Sequence, residues 1–237
     1  SGHDFELRFW VPNHEMEMCG HATVGAVWLL HQSGRLPGNH VVILTRSGRV
    51  ETRVVEADDD DVRVEITQPR GNIEAVPREE VLEVLDVLGV SEAELAADPV
   101  QNACTSRVKT LIPLRSPTIL DGLRPDFSRM ERLCEQIGST GLYPYAIADG
   151  VDQVFEARQF PKSSGYPEDA ATGIAAAALA FGLLNNGRAT AERSLLVRQG
   201  RAMGCASEIT VKFWTDTSGT VPGCWLGGHV RYREACQ

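Results

Sequence analysis

Apolar and polar positions alternate with a period of two over many short stretches and with a period near 3.6 over a few longer ones, predicting numerous strands and sparse helices. In DFELRFW, Phe5, Leu7 and Phe9 fall on one side, so the chain is expected to open with a strand. VPNHEMEMC then reads as a loop, and Gly20 to about Ser33 as a helix closed by Gly34. HVVILT, RVETRVVE and DVRVEITQ predict strands, and the acidic run from Asp58 to Asp61 reads as a solvated hairpin tip between the last two. Helical periodicity starts after Pro77 in PREEVLEVLDVLG, and SEAELAA adds a short capped turn. A strand at VKTLIPL, a helix near FSRMERLCEQIG, and strands at LYPYAIA and DQVFEARQF follow. A second glycine-entered helix is expected from about Ala170 to Leu184, and SLLVRQG, SEITVKFW and TVPGCWLGGHVRYRE read as closing strands. The helices are too few for a regular βαβ alternation, so the expected class is a strand-rich α+β fold.

The two glycine-entered helices resemble one another. GHATVGAVWLLHQSGR (20–35) lies over GIAAAALAFGLLNNGR (173–188) without a gap, with Gly20/Gly173, Ala22/Ala175, Leu30/Leu183, Gly34/Gly187 and Arg35/Arg188 identical. Each copy follows a strand containing Arg and Phe, a proline-bearing loop, and acidic residues, Glu15 with Glu17 in one case and Glu168 with Asp169 in the other. Small residues match by chance in tightly packed helices, but the shared context and the closing Gly-Arg favour an internal duplication. The halves expected from it are 1–100 and 101–237. A long run of strand and helix precedes the second copy and only a few residues the first, so the N-terminal half reads as truncated.

Composition narrows the function classes. Of the 237 residues, 43% are hydrophobic and 23% charged, as in ordinary globular chains, and the formal net charge of -9 comes without a dense Lys/Arg cluster. Nucleic acid is therefore not an expected partner. The apolar stretch from Ala175 to Leu184 is too short to span a bilayer and no signal peptide opens the chain, so a cytoplasmic protein is expected, with no membrane partner. Cys19, Cys104, Cys134, Cys205, Cys224 and Cys236 are scattered without a CxxC, which fits reduced thiols rather than a disulfide framework or a zinc site.

The chemistry concentrates at the two helix starts. A helix N-terminus leaves backbone N–H groups unpaired and carries positive partial charge, and glycine lets a ligand approach closely. Two related halves would present Cys19-Gly20-His21 and Asp169-Ala170-Ala171-Thr172-Gly173 to a small carboxylate, and oriented donors there would stabilise a developing enolate. His21, in the first turn, is expected to be neutral and able to relay a proton. Cys19 could be a thiolate base, or simply a packed thiol. Asp169 could be the acid or base, or merely the N-cap of the second helix; the bland alternative for His21 is a buried, hydrogen-bonded ring. Glu15, Glu17, Cys19 and His21 would share a face of a continuous strand, with His14 nearby, but Gly20 ends the strand and no recognised metal spacing is present, so no metal is expected. The candidate substrate contacts are Gly20, Ala22, Thr172, Gly173, Ile174 and Glu15.

LRFWVPNHEMEMCGHATVGA, the TQP at Thr67–Pro69, RQFPKSSGYPEDAATGIAA and VRQGRAMGCASEITV together resemble the phenazine-biosynthesis-like isomerase family, called PhzF-like, which shares its fold with diaminopimelate epimerase. The resemblance covers almost the whole chain. It implies two pseudo-symmetric halves, each a curved, mostly antiparallel sheet around a central helix, with no cofactor or metal, and a homodimer. By position it makes His21 and Asp169 active-site residues and Gly20 and Gly173 the helix-entry glycines. Cys19 matches a catalytic cysteine of related epimerases, and the second racemase cysteine would fall near Ala170, which cannot carry a proton. Family members carry a catalytic glutamate in an N-terminal segment that precedes the start of this chain, and their usual serine is Ile174 here. The expected activity is a proton and double-bond shift in a small carboxylate, with antibiotic or pigment biosynthesis as the expected setting. The alternatives are an amino-acid epimerase or racemase using Cys19 and Asp169, and a catalytically inactive ligand-binding protein.

Overall fold

In the computed structural model, which describes residues 2–11, 14–56, 62–148 and 151–230, the opening period-two stretch is broken in two. Strand β1 (Phe5–Glu6) pairs in parallel with a later strand, whereas β2 (Phe9–Val11) pairs antiparallel with β3 (His14–Met16) in a separate two-stranded sheet. The segment expected as one loop therefore contains a strand, because Trp10 finds its ladder partner at Glu15. Helix α1 (Gly20–Gln32) follows and ends at Ser33 and Gly34, where φ of +65° suits glycine. Strands β4 (His40–Thr45), β5 (Gly48–Glu56) and β6 (Val62–Pro69) form an antiparallel meander, with β1 on the outer edge of β4. The acidic stretch Asp58–Asp61 lies outside the described residues. Val27 and Trp28 of α1 pack on Val41, Ile43, Val54 and Val64, so α1 is buried along one stripe, while Leu29 is exposed.

The second unit begins with β7 (Asn72–Ala75) and α2 (Arg78–Leu88), the latter stopped by Gly89 at φ +72°. The expected turn at SEAELAA is a 3-10 segment, Glu92–Glu94, held by a reciprocal capping box between Ser91 and Glu94. Then come β8 (Gln101–Cys104), β9 (Val108–Pro113), α3 (Pro117–Gly122), α4 (Phe127–Gln136), β10 (Gly141–Ile147), β11 (Val154–Ala157), β12 (Phe160–Pro161), α5 (Gly173–Asn185), β13 (Leu195–Gln199) and β14 (Ser207–Trp214). Their order is β14-β13-β11-β10-β9-β8-β7, with β9/β10 and β11/β13 parallel and the remaining described pairs antiparallel.

Helix α5 packs on β7, β8 and β9 and also on β14, strands at opposite ends of that order. A helix can touch both ends only if the sheet curves around it, as a central-helix fold requires. The sequence of α5 permits this: Ala175 to Ala178 and Ala180 are fully buried, so sheet and helix backbones approach closely. At Gly182 an added Cβ would lie 2.5 Å from Leu111 Cδ1 and 2.8 Å from Gln101 Nε2. The outer face of the sheet is covered by a core of α2, α3 and α4 residues, including Val84, Leu88, Leu120, Met130 and Leu133, packed on Ile112, Leu142 and Phe160.

Strand β15 (Gly223–His229) closes the described chain, lying next to β6, where a Cβ at Gly227 would be 2.8 Å from Glu65 Cγ. By contacts the units are Ser1–Thr67 with Trp225–Gln237, and Gln68–Cys224, which differs from a division at 1–100 and 101–237. The reason is local. The β7/β8 ladder and the packing of α2 on α4 draw residues 68–100 into the second unit, and β15 returns the chain end to the first. No helix among the described residues is long and apolar enough to cross a membrane.

The close-packed wall of α5 makes a testable prediction. Ala178→Leu, which inserts a branched side chain where there is no room, should lower unfolding stability by about 1–3 kcal/mol in urea titrations.

Candidate active site

At the start of α1 the N-cap is Cys19, with extended backbone (φ -138°, ψ 109°) and no side-chain cap. The Thr23 amide and hydroxyl both donate to the Cys19 carbonyl, at 2.9 and 2.8 Å, which fixes the first turn. The Cys19 sulfur lies 3.7 Å from both His21 ring nitrogens, so neither nitrogen is singled out as its partner. His21 is exposed rather than a buried core ring, whereas Gly20 is buried and Ala22 half-buried. The Glu15 carboxylate is engaged from two sides. Arg8 donates to it at 2.6 and 2.7 Å and Arg46 at 3.1 Å, leaving its side chain only 9% exposed. The hydrogen bond from Arg8 holds Glu15 below the usual carboxylate range, so this residue is an ionised anchor for the β2/β3 hairpin.

At the start of α5 the arrangement differs from the expected one. The N-cap is Thr172, not Asp169, because Thr172 keeps non-helical angles (φ -124°, ψ 87°) and the helix begins only at Gly173. Asp169 instead closes a turn ahead of the helix: its carboxylate accepts from the Thr172 hydroxyl at 2.5 Å and, at 3.4 Å, from the Ala171 amide. Its backbone is tied on both sides. The amide donates to the Gln159 carbonyl at 3.0 Å, and the carbonyl accepts from Gln199 Nε2 at 2.7 Å. Ile174 is the second residue of α5, the place His21 holds in α1. The matching caps place Thr172 opposite Cys19, so a hydroxyl stands at the start of α5 where α1 has its thiol.

Neither helix has an acidic residue in its first turn or a side-chain cap, so both leading turns keep the positive potential of their backbone N–H groups. Glu168, beside Asp169 in the chain, is committed elsewhere. It forms a two-pronged pair with Arg158 at 2.9 and 2.8 Å, and Arg158 Nη1 also donates to the Leu120, Asp121 and Leu123 carbonyls. Of the two adjacent carboxylates, Asp169 is thus the one outside an ion pair in this second unit.

Several polar groups around Asp169 were not foreseen. Tyr143, fully buried on β10, donates to Gln199 Oε1 at 2.9 Å, and Gln199 Nε2 also reaches the Thr172 hydroxyl at 3.0 Å. Burial, and then the charge of Asp169, push the Tyr143 phenol well above its ordinary value. Lys109 is 5% exposed on β9, and burial followed by repulsion from Arg107 pulls it down to about 8, opposed by attraction to Asp169 and Cys134. The Gln159 amide is buried with neither polar atom hydrogen-bonded among the described residues. A signal existed for Lys109, since it is the one charged residue in the strand VKTLIP. No spacing rule points to Gln199, which reaches Asp169 only through the fold.

The sequence pattern of phenazine biosynthesis-like proteins (PhzC-PhzF) matches residues 1–223. An uncharacterized isomerase of Deinococcus radiodurans is 36% identical over 228 residues, covering 94% of this chain and 73% of that protein. The uncharacterized isomerase YddE of Escherichia coli K12 is 28% identical over 213 residues, covering 88% and 71%. Among solved structures, a Bacillus anthracis phenazine biosynthesis protein of the PhzF family superposes with a TM-score of 0.84 at 19% identity, over 95% of this chain and 78% of that one. A probable proline racemase from Agrobacterium radiobacter gives a TM-score of 0.63 at 14% identity, over 94% and 68%. At these identities the structural likeness is one of fold.

The depressed Lys109 carries a stability signature. Between about 8 and the ordinary value of 10.5 the unfolded chain holds a proton that the folded chain does not, so this residue costs stability below that window and nothing above it. Lys109→Met should be more stable than the parent at pH 7 by roughly 2–4 kcal/mol. Denaturant titrations from pH 7 to 10.5 should show that advantage shrinking steadily.

Proposed function

Because the chain belongs to the phenazine biosynthesis-like (PhzF-like) family, we propose that it is a cofactor-independent isomerase that moves a proton and a double bond in a small carboxylate. The observation that carries this reading is the Asp169 carboxylate, held by the Thr172 hydroxyl one turn before an uncapped helix start. A base removes a proton from carbon near the substrate carboxylate, and the electron pair moves into the conjugated system. The same or another group returns a proton at its far end, so the product has the substrate's composition. Asp169 is the leading acid-base group, His21 the relay, and Cys19, in contact with His21, a second carrier. The leading amides at Gly20 and Gly173 hold the substrate carboxylate and stabilise enolate charge by fixed dipoles. Ala22, Thr172 and Ile174 line the helix starts and shape the contact. Natural-product intermediates, such as precursors of pigments or antibiotics, are the proposed substrate class.

A second reading rests on the 3.7 Å contact of Cys19 with His21, which sets an imidazole beside the thiol as a proton partner. In that case Cys19 and Asp169 invert a carbon next to an amine or ring nitrogen, giving an epimerase or racemase. Solvent deuterium incorporation with chiral analysis separates the two, since inversion without a shifted double bond supports the second.

Asp169→Asn should lose turnover by about a hundredfold or more, the scale of a general acid-base group, while ligand affinity is largely kept. His21→Ala should also slow turnover. Full activity in Asp169→Asn, measured by product formation on a panel of unsaturated and amino-acid-derived carboxylates, would remove the proposal.

A further inference from the structure

A chain of buried hydrogen bonds ends on Asp169, and its donors and acceptors can each be oriented without ambiguity. The Asp169 carbonyl only accepts, so the Gln199 atom 2.7 Å from it must be the amide nitrogen. The opposite amide orientation would set two oxygens against each other at that distance. With the nitrogen there, Gln199 Oε1 faces the Tyr143 hydroxyl at 2.9 Å and, having no hydrogen, accepts from it. The second N–H of the same amide points to Thr172 Oγ1 at 3.0 Å, which therefore accepts. The hydroxyl hydrogen of Thr172 is left to donate to Asp169 Oδ2, at 2.5 Å.

Tyr143 and Gln199 are almost completely buried, at 0% and 1% exposure, which leaves no surface for water to replace either partner. Burial also keeps the Tyr143 phenol protonated, as a donor must be. The end of the chain is clamped. Gly200, directly after Gln199, has φ +81°, and a Cβ there would meet the Cys205 carbonyl at 2.2 Å and the Ala170 carbonyl at 3.0 Å. Ser207 Oγ donates to the same Ala170 carbonyl at 2.7 Å, so β13 and β14 together hold the loop that carries Asp169.

From this geometry we infer that Tyr143, Gln199 and Thr172 are positioning residues that commit Asp169 Oδ2 to a hydrogen bond and leave Oδ1 as the oxygen that exchanges the substrate proton. The inference rests on the isomerase reading for what Asp169 does, but not for the relay itself. Oδ1 has one long contact, from the Ala171 amide at 3.4 Å, and retains lone pairs for a transferred proton. The hydrogen bond to Oδ2 fixes the plane of the carboxyl group and survives protonation at Oδ1, since Oδ2 remains an acceptor in the acid.

The test reads the Asp169 carboxyl directly. Protein labelled with 13C at aspartate carboxyls is observed by NMR at one fixed pH, and the Asp169 signal is identified by its loss in Asp169→Asn. Thr172→Val keeps the shape of the residue and removes only the hydroxyl, and the Thr172 side chain does not cap α5, so the helix start is retained. Other groups that act on or border this carboxylate are Lys109 on β9, Tyr143 on β10 and the adjacent Glu168, itself paired with Arg158; all are unchanged in Thr172→Val. Thr172→Val should displace the Asp169 carboxyl signal, and Thr172→Ser should restore it. Tyr143→Phe should displace it by less, because the Gln199 amide then loses its orienting donor. Turnover should fall by about tenfold in Thr172→Val and return in Thr172→Ser.

An Asp169 carboxyl signal unmoved in folded Thr172→Val, or a Thr172→Ser variant that behaves like valine, overturns the relay. If Thr172→Val does not fold, an unmoved signal in Tyr143→Phe does so. A signal that moves as expected in a protein without turnover on any carboxylate keeps the relay and defeats the isomerase reading.

Discussion

The structure of the second unit depends on how closely α5 approaches its sheet. A helix lined by leucines would stand well away from the strands, and strands as far apart in the order as β14 and β7 could not both reach it. Alanine at 175 to 178 and 180, with glycine at 182, removes that standoff. The price is a core that gains little from large side chains on the helix itself, so burial is supplied from the strands, by Leu111, Tyr143 and Phe213, and from Phe181 at the edge of Phe213. Curvature of the sheet is thus a consequence of side-chain size, and the position of the helix start follows from it.

That position explains why so many polar groups are buried nearby. The N-terminal turn of α5 and the loop before it cannot satisfy their own backbone groups, and burial makes each unsatisfied one costly. Gln199 answers the Asp169 carbonyl, Gln159 its amide, and Ser207 the Ala170 carbonyl. Side chains placed to serve the backbone then also fix the Asp169 carboxylate, through Thr172. The Gln159 amide is the exception, buried without hydrogen-bonding partners among the described residues, and Lys109 is a buried cation, so both are offset by the rest of the core. Polar groups kept at such cost beside a carboxylate are common where a protein holds an acid-base group in a set environment.

Much of this was legible in the sequence, and the losses have physical reasons. The strands β4, β5, β6, β9, β10, β13 and β14 and the helices α1, α2, α4 and α5 followed from periodicity and end signals, because each buries one face or is buried on all sides. The short pieces did not: β3, β7 and β8 have three or four residues and α3 six, too few for a period to show. At the candidate site the residues Asp169, Cys19 and His21 were found from motif context. Their surroundings were not. The sequence suggested Asp169 as an N-cap because Asp ahead of a small-residue run usually is one, whereas the non-helical Thr172 delays the helix by three residues. Glu15 reads in the sequence as a substrate contact, whereas Arg8 and Arg46 occupy its carboxylate through pairings that adjacency in sequence cannot relate.

The two helix starts share a local frame and differ in their surroundings. Both begin with glycine after a non-helical cap, and both lack a side-chain cap. They differ in solvent. In α1 only one stripe is buried and His21 is exposed. In α5 nine consecutive residues are buried, and the carboxylate before its start is held by the Thr172 hydroxyl, with its own backbone tied by Gln159 and Gln199. Fixed partners aim a carboxylate oxygen without the reorganisation that mobile water needs, so Asp169 is oriented by its own unit alone.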